Sequence, residues 1–248
     1  MRKNVKKQLA LRVLSTAVLM AMVSSIATAA FADTYDLNTG SVTVETKDNG
    51  TTYVTQENTD IKVRPDTTGV TITSDGRQTS NTITVETAKD QTTNVTLQNV
   101  FINREGASDS DAKAALTVKG DGKTNIELNG NNTLSSTGAH AGLEKTDAEC
   151  SGTLTITDDK NDDDGSDKKK DEYGYSTGGD TGTLNVIGGE QGGAGIGGQG
   201  TNKYWDSSTD PGAPNIHSTS NITITGGNVT AVGKEDNPNR IGGAGIGG

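Results

Sequence analysis

From residue 41 onward the chain switches between apolar and polar residues in short bursts. They are "SVTVET" (41–46), "IKVR" (61–64), "VTIT" (70–73), "TITVET" (82–87), "NVTLQNVFI" (94–102), "AALTV" (114–118), "NIELNG" (125–130), "TLTIT" (153–157), "TLNVIGG" (183–189) and "NITITGG" (221–227). Each has a period of two and is rich in Val, Ile and Thr. That is the pattern of a strand with one buried and one solvated side. Gly, Asn and Asp punctuate the intervals as turn residues do. No stretch beyond residue 32 sustains helical spacing, so the chain is predicted to be all-β.

The bursts recur. If Asn94, Asn125, Thr153, Thr183 and Asn221 each begin an equivalent strand, the intervals are 31, 28, 30 and 38 residues. A second motif follows most of them: "AALTV" (114–118), "HAGLEK" (140–145), then "GAGIGG" at 193–198 and again at 243–248. Periods of this size belong to stacked repeats. In a right-handed parallel β-helix each coil lies about 4.8 Å above the last, and each inward side chain meets its copies above and below. Ala194 and Ile196 are expected to point inward around a tight backbone, and Ile196 and Ile246 to be successive rungs of one ladder.

Gly193-x-Gly195-x-x-Gly198 also matches a dinucleotide fingerprint, with "TLNVI" as its strand. That motif needs a helix N-terminus against the pyrophosphate. Here "QGTNKYWDSSTDPGAPN" follows, broken by Gly and Pro, so the repeat reading stands.

Composition alone points another way, because 33 Gly and 3% aromatic residues look too poor for one globular core. Stacked repeats remove the conflict, since nearly every apolar residue can then enter an inward ladder. The first 32 residues read as a secretory signal peptide, with Arg2, Lys3, Lys6, Lys7 and Arg12 before an apolar run and Ala30-Phe31-Ala32 as the cleavage site. Cleavage removes five basic residues and no acidic ones from 22 Lys+Arg and 32 Asp+Glu. The mature charge falls from −10 to about −15. Such a surface repels phosphate backbones and anionic membranes, which argues against nucleic acid as a partner, and no apolar run after Asp33 is long enough to cross a bilayer, which argues against membrane insertion after cleavage. The single cysteine, Cys150, forms no intrachain disulfide and reads as a small buried hydrophobe.

The segment "NVTLQNVFINREGASDSDAKAALTVKGDGKTNIELNGNNTLSSTGAHAGLEK" (94–145), with "GGAGIGG" and "ITITGGNVTAVG" (222–233), resembles exported carbohydrate-binding-domain proteins of Gram-positive bacteria. The resemblance covers roughly residues 90–248. It implies a right-handed parallel β-helix similar to that of pectate lyases, in a secreted or cell-surface module that binds polysaccharide. It carries over no catalytic residue. The expected organisation is a signal peptide at 1–32, first coils or a cap at 33–90, and β-helix repeats at 91–248 with an acidic insertion at 158–175. The chain stops inside a repeat, so the natural protein is expected to continue past Gly248 as a monomeric module of a longer chain.

Three places could carry chemistry. In the acidic insertion, Asp159, Asn161 and Asp163 occupy the first positions of a calcium loop, although Asp164 and Lys170 stand where that loop needs Gly and Glu. Calcium is therefore a candidate cofactor beside the plainer reading of a solvated insertion. In "NKYWDSSTDPGAPNIH" (202–217), Tyr204 and Trp205 could stack on a sugar face while Asn202 and Asp206 bind its hydroxyls, or the Trp could simply cover the side of the stack. Arg64, Arg77 and Arg104 are read as surface charges, since nothing gathers them with carboxylates as a lyase needs. The expected function is a non-catalytic, adhesin-like glycan-binding module. A polysaccharide lyase and a structural surface stalk are the alternatives.

Overall fold

A computed structural model describes residues 33–59, 64–66, 69–106, 111–158, 182–200, 218–234 and 243–247. Strand β1 (Asp33–Asp36) opens a first sheet. Strands β2 (Val42–Thr46), β3 (Thr52–Gln56) and β4 (Arg64–Asp66) belong to a second, in which β3 and β4 run antiparallel beyond β2. From there the order becomes regular. Strands β5 (Val70–Thr73), β6 (Gln78–Thr79) and β7 (Ile83–Thr87) lie in the first, third and second sheets in turn. The same rotation repeats in β8 (Thr92–Gln98), β9 (Phe101–Asn103) and β10 (Leu116–Lys119), and again in β11 (Lys123–Asn129), β12 (Asn131–Ser135) and β13 (Leu143–Glu144). It continues through β14 (Thr153–Thr157), β15 (Thr183–Ile187) and β16 (Ile196–Gly197) to β17 (Ile222–Ile224), β18 (Asn228–Val232) and β19 (Ile246–Gly247). The described residues are thus all-β, and every pairing from β5 onward is parallel.

Apolar residues stack in register inside the sheets. In the second sheet Val42, Ile83, Leu116, Leu143, Ile196 and Ile246 are successive partners, and all but the last are at most 1% exposed. In the first, Val70, Val95, Ile126 and Ile156 form a second buried column, and Ile102, Leu134 and Val186 a third in the remaining sheet. Parallel strands place like residues over like, so one Val or Ile per strand suffices to build a continuous core.

The interior is not wholly apolar. Thr46 bonds Thr52 at 2.9 Å and Thr93 at 2.6 Å; Thr87 bonds Thr93 at 2.7 Å and Thr124 at 3.0 Å. These hydroxyls satisfy one another where a lone one would cost stability. The repeated tetrapeptide "TVET" at 43–46 and 84–87 lies in exact strand register, and its final Thr enters this chain.

The corner from the first sheet to the third needs left-handed backbone. Asn99 (φ 50°) and Gly130 (φ 63°) supply it on successive strands, and Asn99 Oδ1 would lie 2.2 Å from a Cβ on Gly130. Asn tolerates this conformation, and Gly tolerates both it and the close approach. In sequence the acidic stretch 158–175 lies between β14 and β15, and beyond Asp158 it is outside the described residues.

The glycine heptads answer to backbone contact. Ala194 and Ile196 are buried, as expected, and Ile196 pairs with Ile246. A Cβ on Gly195 would stand 2.5 Å from Val232 N, and one on Gly197 (φ 138°) 1.9 Å from Gly247 O. Two expected equivalences differ: Thr153 pairs with Lys123, two positions out of register with Asn125, and Thr183 begins β15 of the third sheet, over Asn131 and under Asn228, and is not a partner of Asn94 and Asn125. Strands of all three sheets share one alternating pattern, so periodicity alone does not assign them to a sheet.

Ile196→Asp is expected to cost on the order of 3–5 kcal/mol by placing an unpaired carboxylate in the column. Gly197→Ala should cost at least about 1 kcal/mol through strain and crowding. Thermal melts of both variants against the parent check this; a parent-like melt for Ile196→Asp would contradict it.

Candidate functional site

Alternation puts polar side chains on the outside of the first sheet. Asn94, Asn125, Thr155 and Thr223 form one outward row across β8, β11, β14 and β17; Thr71, Thr96, Glu127 and Thr157 form another across β5 to β14. Asn125 Nδ2 donates to Asn94 Oδ1 at 2.9 Å, which fixes the Asn94 amide with its own Nδ2 turned away from that bond. At the start of this face a cleft of about 360 Å³ opens between the β2–β3 turn and strands β5 and β8. Thr51, Thr52, Thr92 and Asn94 line it together with Gly50, Gly69 and Val70. Among the described residues the lining has hydroxyl and amide groups and no charged side chain.

A second polar group lies at β13. Leu143 points into the core, so Glu144 points outward, yet neighbouring backbone buries it. Glu144 Oε2 accepts from His140 Nδ1 at 2.8 Å and from Ala141 N at 3.2 Å, and Oε1 accepts from Gln199 Nε2 at 3.0 Å. Lys145 turns inward and is 0% exposed; its ammonium donates to the carbonyls of Cys150 at 3.0 Å and Ser220 at 2.9 Å. A lysine so engaged is not free to act as a base. Cys150 is buried beside it, and burial raises its thiol above the usual range against the opposing charge of Lys145. It therefore stays a thiol rather than a thiolate nucleophile at neutral pH.

Asp147 ties the second group to the start of β17. Its carboxylate accepts from Ser220 Oγ and Ser218 Oγ, each at 2.8 Å, and these bonds, Ser220's first, hold it below the ordinary carboxylate range. Arg104, read from sequence as a surface charge, is instead buried at 6% exposure. It donates to Ser80 O and, at 2.7 and 2.8 Å, to Asp111 O and Oδ2, so it closes its own loop. Arg77 stays exposed beside Asp75.

Asn202, Tyr204, Trp205 and Asp206 lie outside the described residues, as do Asp159, Asn161 and Asp163 and the side chain of Arg64. Asp158, the first residue of the acidic stretch, is described, and its Oδ2 accepts from Gly182 N at 3.0 Å. Among the described residues no group of three or more His, Cys, Asp and Glu is placed to hold a metal. The cleft and the His140–Glu144–Gln199 group were not singled out from sequence. The pairing of Asn94 with Asn125 was legible in their matched strands, whereas the contacts of Glu144 depend on Gln199, more than fifty residues away.

Comparison of the chain with protein families, with curated proteins and with solved structures finds no match.

Two outcomes follow from the second polar group. Lys145→Met should cost roughly 2–5 kcal/mol, because the carbonyls of Cys150 and Ser220 lose their donor in a dry interior; denaturant unfolding measures it. Because the folded Asp147 is depressed, its contribution is present above the unfolded carboxylate value and is lost as pH falls through the lower folded value. Ser220→Ala should therefore raise the Asp147 titration seen by carboxyl-carbon NMR. Since this carboxylate is largely solvated, the variant should lower neutral-pH stability by less than about 1 kcal/mol.

Proposed function

We propose that the chain is a secreted or cell-surface right-handed parallel β-helix that binds carbohydrate without catalysing its cleavage, an adhesin-like module of Gram-positive type. The single observation that carries this reading is the outward row of amide and hydroxyl side chains on the first sheet, leading into a cleft with no charged side chain among the described residues. Amides and hydroxyls in fixed geometry suit the hydroxyls of a sugar, and a concave site of this size suits a small ligand. The rotation of the chain through three sheets supports the β-helix, and the basic, apolar, small-residue sequence of residues 1–32 supports export. The non-catalytic reading is supported by Lys145 and Arg104, which are buried and committed to carbonyls or to Asp111 rather than offered as a base. In this reading β3 and β4 cap the first coils, and the segment containing Asn202, Tyr204, Trp205 and Asp206 adds a stacking platform. Asp159, Asn161 and Asp163 would take calcium if the acidic insertion is more than a solvated loop.

A glycan array probed with the full chain tests the proposal, alongside a polygalacturonate assay with calcium read by absorbance of unsaturated product. Binding to defined glycans with no rise in absorbance is expected. A steady rise would make the protein a lyase, and an array with no bound glycan would remove the carbohydrate reading.

A further inference from the structure

We propose that the cleft between the β2–β3 turn and strands β5 and β8 is the primary glycan subsite, and that it takes one neutral pyranose unit in preference to a uronic acid. The inference rests on the carbohydrate-binding reading and adds the place and the class of sugar. Its first support is the chemistry of the lining. Thr51 and Thr92 bring hydroxyls that both donate and accept, and Asn94 brings an amide. The amide is preset, because Asn125 Nδ2 occupies Asn94 Oδ1 at 2.9 Å and leaves Asn94 Nδ2 as the donor for a ligand. A sugar ring presents hydroxyls around its rim, and these meet the hydroxyl and amide side chains of the lining.

The second support is charge. A uronate brings a carboxylate that must be met by a cation when water is displaced. Among the described residues no Lys or Arg lines the cleft, and Lys47, on the adjoining β2–β3 turn, is paired with Glu45. The whole chain is acidic, which further disfavours a polyanion. The third support is space. The cavity of about 360 Å³ lies at the low end of the small-ligand range, enough for a ring but not for an extended oligosaccharide. A position at Gly69 would meet nothing within 4 Å, so the mouth is open and the rest of a glycan can leave through it.

The test uses the full chain and an array of neutral oligosaccharides beside uronic-acid oligosaccharides of matched length, followed by calorimetric titration of the best neutral one. The parent is expected to bind neutral glycans. Asn94→Ala and Thr92→Phe, at exposed positions, should each weaken that binding at least tenfold with unchanged melting temperature. Thr230→Ala, exposed on β18 of the third sheet and away from both the cleft and the first-sheet row, should leave it unchanged. Amide shifts on titration should cluster at residues 50–52, 69–70 and 92–94. Neutral binding that survives both cleft variants, or that Thr230→Ala weakens equally, would overturn the cleft while sparing the carbohydrate reading. Selective binding of uronic acids would overturn the neutral preference. An array with no bound glycan would overturn both.

Discussion

Parallel strands stacked in register, backbone almost against backbone, are the constraint on which the rest of this structure depends. Because each strand pairs in register with its parallel neighbours, a residue's environment is set by its partners on either side. Val42, Ile83, Leu116, Leu143 and Ile196 show the favourable side: a single apolar position per circuit becomes a closed column. Gly195 and Gly197 show the cost, since the backbone of the neighbouring circuit leaves no room for a Cβ. A chain so poor in aromatic residues folds by repetition rather than by large side chains.

The same stacking organises the polar groups. Inside, Thr46, Thr87, Thr93 and Thr124 bond one another, and Lys145 caps two carbonyls, so hydroxyls and an ammonium are tolerated in a dry stack. Outside, columns of Asn and Thr repeat from strand to strand and give the first sheet a uniform, largely neutral face. Polar contacts also hold the corners between sheets. Asp158 and Gly182 close one such corner with a single hydrogen bond, and Asp147 anchors Ser218 and Ser220 beside another.

Much of this was legible in the sequence because strand alternation and the Ala-x-Ile motif are local signals. The motif aligned Leu116, Leu143, Ile196 and Ile246 correctly, and these are partners in the second sheet. Alternation did not say which sheet a strand joins, so Thr183 was matched to Asn94 although it lies in the third sheet. "NVTLQNVFI" read as one burst, yet Asn99 turns the backbone and divides it between two sheets. The site was less legible. A cleft made by Thr51, Thr92 and Asn94 brings together segments that no spacing rule connects, and the burial of Arg104 depends on Asp111 and on Ser80 from the preceding circuit.

The central claim is the register of the inward columns, and methyl-to-methyl nuclear Overhauser contacts in a chain labelled at Ile, Leu and Val measure it directly. The account predicts cross-peaks between Ile83 and Leu116, Leu116 and Leu143, Leu143 and Ile196, and Ile196 and Ile246, with none between Ile83 and Ile196. Absence of the sequential contacts in a folded sample, or a direct Ile83–Ile196 contact, would contradict it.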